Sequence, residues 1–169
     1  VFFMKKTTAA KQAAKILLFL FLSTAGFAED FTRYYNSRFG FTVSYPARMG
    51  MDPAPENDDG RRISDGEGFV LTVYGSHNVF EMDVKEAAGA AKDLFDEVTY
   101  EASGKRWFVL SGYREDSIVY MKQWVGPDFL NCLIMEYPQE RKKNYDQSVA
   151  AIARSFKSGE LGYGHPPVP

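Results

Sequence analysis

The sequence predicts an α+β fold, a three-layer α/β/α sandwich around a mostly antiparallel sheet of six or seven strands. Three features predict it. Residues 107–137 form strands that are apolar on both faces, which places them between two covering layers. The turns within that stretch are too short for parallel crossovers, so neighbouring strands must run antiparallel. Two amphipathic segments, one starting near Val84 and one near Glu140, supply a helix for each face.

Along the chain, Phe39, Phe41, Val43 and Tyr45 alternate with Gly40, Thr42 and Ser44, the pattern of a strand with one apolar face, ended by Pro46. Residues 52–68 are a polar loop rich in Asp, Asn, Pro and Gly, with a short strand at 61–63. Residues 69–74 read as the next strand, and Gly75, Ser76, His77 and Asn78 turn the chain. Asp83 with Glu86 three residues on is a capping box, so a helix is predicted over 84–96. Strands follow at 98–102, 107–114, 117–125 and 129–137, with tight turns such as Gly126, Pro127, Asp128 between them. Pro138 stops the last strand. A second helix is predicted over 140–156, with Tyr145, Val149, Ile152, Ala153 and Phe156 on one face and Gly159 placed to end it. Residues 159–169, rich in Gly and Pro, read as a disordered tail.

The N-terminus has its own chemistry. Lys5, Lys6, Lys11 and Lys15 precede the apolar run Ile16 to Leu22, and Gly26 and Ala28 put small residues where a signal peptidase cuts. This is the pattern of a secretory signal peptide over residues 1–28, with Met4 as the better start. The apolar run falls short of the ~20 residues that span a bilayer, so no stable membrane insertion is expected after cleavage. The expected location is periplasmic or extracellular. Removing residues 1–28 leaves 16 Lys and Arg against 22 Asp and Glu, a net −6. An acidic domain of this kind suits no nucleic-acid partner. Cys132 is the only cysteine, so neither an intramolecular disulfide nor a multi-cysteine zinc site can form. Residues 29–158 have the length of a single domain held together by packing.

The order strand, strand, strand, helix, four strands, helix resembles the PsbP-like fold. The stretches that carry the likeness are YYNSRFGFTVSYPA, ENDDGRRISDGEGFVLTVYGSHN, WFVLSGY, MEYP and YDQSVAAIARSFK. They also resemble a family of small, uncharacterised secreted bacterial proteins of that type. The fold includes an extrinsic lumenal protein of photosystem II and a nuclear-import factor that binds the Ran GTPase. These functions differ, so the resemblance implies a fold and no particular activity.

Candidate chemistry is sparse. The strand RFGFTVSY places Arg38 where an RNA-binding strand needs Gly and Ser37 where it needs a base, so its aromatics are assigned to the core. The segment after residue 28 has two histidines, His77 and His165, and Ser111 lacks the Gly-x-Ser-x-Gly elbow of a nucleophile. Cys132 lies among apolar neighbours, the setting of an inert thiol. Acidic residues crowd positions 52–67, but the calcium-loop spacing fails and Arg61 and Arg62 would oppose a cation. No catalytic residue, metal or cofactor is therefore assigned. The expected function is a non-enzymatic binding or accessory protein of the bacterial envelope. It would act as a monomer on an envelope protein or small ligand, with Arg61, Arg62, His77 and Asn78 as contact residues. A hydrolase-type enzyme with an unrecognised site and a weak calcium module through 52–67 are the alternatives.

N-terminal sequencing of the exported protein is expected to read Glu29 first. A mature chain that still begins at Met4 contradicts the export assignment.

Overall fold

A computed structural model describes residues 29–159. The signal segment with its cleavage site, and tail residues 160–169, lie outside the described residues. Nine strands and two α-helices follow in chain order: β1 Phe31–Tyr35, β2 Thr42–Pro46, β3 Gly50–Met51, β4 Gly60–Ser64, β5 Val70–His77, α1 Val84–Ala91, β6 Glu97–Ser103, β7 Trp107–Arg114, β8 Ser117–Val125, β9 Phe129–Pro138 and α2 Lys142–Ser155. The main sheet has seven strands in the order β3-β4-β5-β9-β8-β7-β6, and every neighbouring pair is antiparallel. β1 and β2 form a separate antiparallel hairpin. The α+β three-layer fold is as the sequence predicts. No helix among the described residues is long and apolar enough to cross a membrane.

The register of β9 sorts the layers. Leu133 lies between Val73 and Lys122, and Met135 between Leu71 and Tyr120. These side chains face α2 and the β1–β2 hairpin, where Phe41, Val43, Ile63, Phe69, Ile152 and Phe156 complete a core. Cys132, one residue out of step, lies between Tyr74 and Gln123 on the opposite face. There Phe108, Leu110, Met121 and Leu130 meet α1. Helix α1 presents Ala87, Ala88 and Ala91, small enough to bring its backbone close to the sheet. Each fully buried Phe or Leu stabilises the fold by about 1.5–3 kcal/mol relative to exposure.

Several boundaries differ from the sequence reading. The segment 39–45 is not one strand. Gly40 takes φ +71°, which a residue with a Cβ rarely adopts, and the strand begins only at Thr42. It pairs with β1, an element the sequence reading leaves unassigned, and not with the main sheet. Phe39, Phe41, Val43 and Tyr45 are nevertheless all buried. Helix α1 keeps its capping box, with the Glu86 amide donating to Asp83 Oδ1 at 2.9 Å and the Asp83 amide to Glu86 Oε2 at 2.9 Å. It ends at Ala91, short of residue 96. A 3-10 turn over Lys92–Leu94 tightens the chain, and Phe95 leaves it extended so that β6 can pair with β7. Helix α2 starts after a 3-10 turn, Gln139–Arg141, and ends at Ser155. Gly159 does not terminate it. Lys157 pairs with Thr42 instead, and Gly159 lies so close to Gly40 that a Cβ on Gly159 would overlap the Gly40 carbonyl.

A polar contact ties α2 to the loop that follows β4. The Tyr145 hydroxyl donates to Asp65 Oδ2 at 2.7 Å, and Asp65 Oδ1 accepts the amides of Glu67 and Phe69 at 2.8 and 3.0 Å. Burial pushes the Asp65 carboxyl up, but these donors outweigh it and hold the pKa below the usual carboxylate range.

Cys132 is buried, and burial pushes its thiol up to about 12, only partly offset by the hydrogen bond with Tyr74. The native protein is expected to resist thiol reagents until it unfolds. Cys132→Ala is expected to cost about 1–2 kcal/mol in a urea melt. Rapid labelling of the native state contradicts this placement.

Candidate functional site

Strand β5 ends at His77, and the next residue organises a loop. Asn78 is buried, and its amide works in both directions. Nδ2 donates to Met82 O at 3.0 Å and to Gly126 O at 2.9 Å, while Oδ1 accepts the Met82 amide at 2.9 Å. Its own backbone N–H donates to Asp128 O at 2.8 Å, and its carbonyl accepts the Glu81 amide at 3.0 Å. A side chain with donor and acceptor on one short stem is needed here, because a carboxylate would present two acceptors to two carbonyls.

The clamp has a consequence for the two residues it encloses. Val79 is 74% exposed and Phe80 81% exposed. Glu81 closes the turn in the left-handed region, at φ +54°. Two adjacent apolar side chains are thus held out in water by a hydrogen-bonded loop. Buried aromatics contribute most to a core, so an exposed one on a fixed loop is informative. Beside the loop runs a groove along α1. One cavity of about 490 Å³ lies between the loop and the β8–β9 turn, and one of about 580 Å³ between α1 and the β6–β7 turn. They share Asp83, Val84 and Lys105 and so adjoin.

The four residues selected from the sequence do not converge on one place. Arg61 and Arg62 are neighbours on β4 and therefore project to opposite faces. Arg61 donates to Asp58 Oδ1 and Gly60 O, each at 2.7 Å, and its guanidinium lies 5.2 Å from the centre of the Tyr34 ring. Arg62 is exposed and pairs with Asp52 at 3.3 Å. His77 packs edge-on against Phe39 and tilted against Phe129, with ring centres 5.5 and 5.1 Å away. Gly75 makes this cluster possible, because a Cβ there would overlap the Phe39 ring. Only Asn78 belongs to the exposed loop, and it acts from beneath. Five of the six acidic residues of 52–67 have side-chain partners: Asp52 and Asp58 with these arginines, Asp59 with Asn57, Asp65 with Tyr145, and Glu67 with Arg141 at 2.7 Å. Val79 and Phe80 escaped the sequence reading. The available signal was two apolar residues placed inside a turn and ahead of a helix cap.

The fold is PsbP-like. It resembles the solution structure of cyanobacterial PsbP from Synechocystis, with a TM-score of 0.59, 13% identity, and coverage of 81% of this chain and 98% of that one. It also resembles the crystal structure of the Saccharomyces cerevisiae Ran-binding protein Mog1p, with a TM-score of 0.56, 11% identity, and coverage of 78% and 96%. At these identities the likeness is one of fold alone. No protein-family model matches the chain, and no curated protein sequence matches it.

Asn78→Ala is expected to lower stability by about 2–3 kcal/mol, because it strands two carbonyls and an amide at the loop base. Chemical denaturation measures this. A loss below about 0.5 kcal/mol, typical of an exposed polar residue, rules out the clamp.

Proposed function

We propose that this chain is a non-enzymatic binding or accessory protein of the bacterial envelope, exported by residues 1–28, that engages a protein partner through the loop 78–83. The observation that carries this reading is the pair Val79 and Phe80, exposed on a loop whose geometry is fixed from below. Aromatic side chains that enter a partner's pocket supply most of the energy of a protein interface, and a pre-ordered loop spares the entropy of fixing it on binding. The adjoining groove along α1 offers both signs of charge, with Lys85 and Lys105 beside Asp83 and Glu101, as the polar rim of such a contact requires. Fold-level analogy points the same way, since the yeast neighbour is a Ran-binding protein.

The surroundings of the nucleophile candidates favour binding over catalysis. The Cys132 thiol is buried and held protonated, and His77 stands against two phenylalanine rings. Among the described residues, no hydrogen bond joins a histidine to a serine or cysteine.

The double substitution Val79→Ser with Phe80→Ser is expected to leave the melting temperature unchanged, because both side chains are already in water. It is expected to abolish capture of the partner that the unaltered protein retains from its native envelope. Equal capture of that partner by the variant overturns the reading.

A further inference from the structure

The groove along α1 is unevenly charged. The cavity beside the loop is lined by Glu81, Asp83 and Asp128, with Lys105 where it joins the next. The second cavity sets Lys85, Lys92 and Lys105 against Asp83 and Glu101. Local contacts occupy part of this charge. Lys92 pairs with Glu101 at 2.7 Å, and Asp83 accepts the Glu86 amide as the helix cap. Glu81, Asp128, Lys85 and Lys105 are exposed and enter no ion pair among the described residues. The free charge of the groove is therefore acidic at the loop end and basic at the other.

The basic end also has free space. Val84, Ala88 and Gly89 line it from α1, and a Cβ on Gly89 would meet no atom within 4 Å. At about 580 Å³ it has the size of a site that holds an aromatic group. The chain itself carries such a group. Phe80 is 81% exposed on the loop at the acidic end, and it lines neither cavity of its own groove. Ring donor and ring acceptor thus stand at opposite ends of one surface, as do the two signs of charge.

We propose that the occupant of this groove is a second copy of the chain, docked groove to groove about a twofold axis through the junction at Asp83 and Lys105. The inference rests on the loop reading above and names its partner, in place of the monomer that the sequence leads one to expect. A twofold axis exchanges the two ends of a surface, so whatever one end offers meets what the other end lacks. Phe80 of each copy enters over Gly89 of the other. Glu81 and Asp128 of each copy face Lys85 of the other. The rings supply affinity, and the unlike charges fix the register and reject the parallel arrangement, which sets acid against acid.

Sedimentation equilibrium of the exported protein, from about 1 μM to about 1 mM, is expected to show a monomer passing to a dimer and no larger species, since a twofold contact closes on itself. Phe80→Ser is expected to weaken the dimer at least about a hundredfold, because a symmetric interface loses the ring twice. Gly89→Leu fills the receiving cavity from an exposed helix position. It is expected to abolish the dimer without lowering the melting temperature, since Leu forms helix better than Gly. Lys85→Glu is expected to weaken the dimer, and adding Glu81→Lys to restore it, which a purely structural role for either residue would not produce. The inference is overturned by a monomer throughout the range, by a dimer that survives Phe80→Ser or Gly89→Leu, or by a charge reversal that is not restored. A monomer that still captures another envelope protein through Val79 and Phe80 overturns this inference and leaves the loop reading standing. Dimerisation and capture that both survive the Val79→Ser with Phe80→Ser variant overturn the two together.

Discussion

Strand β9 has no face that tolerates water. Phe129, Leu133, Met135 and Tyr137 point one way, and Leu130, Cys132 and Ile134 the other. A strand of this kind must sit in the middle of a sheet, and both sheet faces must be covered. β9 does sit centrally, between β5 and β8. The two covers are unequal. Helix α1 has only eight residues and closes its side with alanines, whereas α2 shares the other side with the β1–β2 hairpin. Much of the remaining architecture follows from meeting that demand with one short and one longer helix.

The irregular segments are joined to this frame by buried asparagines. Asn36 binds the Phe39 amide, the Tyr34 hydroxyl and the Asp58 carbonyl, which fixes the β1–β2 turn against the 55–59 segment. Asn131 accepts the Ser158 hydroxyl at 2.9 Å and so holds the chain after α2. Asn78 does the same for the loop after β5. Each joins a regular element to a segment that cannot satisfy its own backbone, and a primary amide is the side chain that offers donor and acceptor together.

The unequal covers leave the two sides of the sheet with different margins. On the α1 side, the helix is short enough to leave a groove beside it, with Val79 and Phe80 at one end. On the α2 side, the helix stops over β9 and Lys122, and the aromatics of β6, β7 and β8 continue past it and close over the sheet, so that Val109 is only 7% exposed. A fold that covers a seven-stranded sheet with two helices and a hairpin necessarily has such margins, and margins are where binding can be placed without disturbing the core.

The periodicity of the sequence determined the faces of the strands. It sorted the two sides of β9, buried Phe39 to Tyr45, placed Cys132 in the interior and located the capping box of α1. These are local properties: a strand repeats every two residues and a helix every 3.6, whatever the rest of the chain does. Partner choice is not local. Nothing in the alternation of 39–45 says that β2 pairs with β1 outside the main sheet. Nor does the apolar spacing of Leu94, Phe95 and Val98 show that α1 must stop at Ala91 to let β6 reach the edge. The site residues divide in the same way. Asn78 could be singled out as a turn residue, but its role beneath the loop depends on Gly126 and Asp128, distant in the chain. The exposure of Phe80, the separation of Arg61 from Arg62 across β4, and the meeting of Lys122 with Trp124 and α2 were decided only in the tertiary structure. Each depends on which surfaces the packed layers reach and which they leave to water.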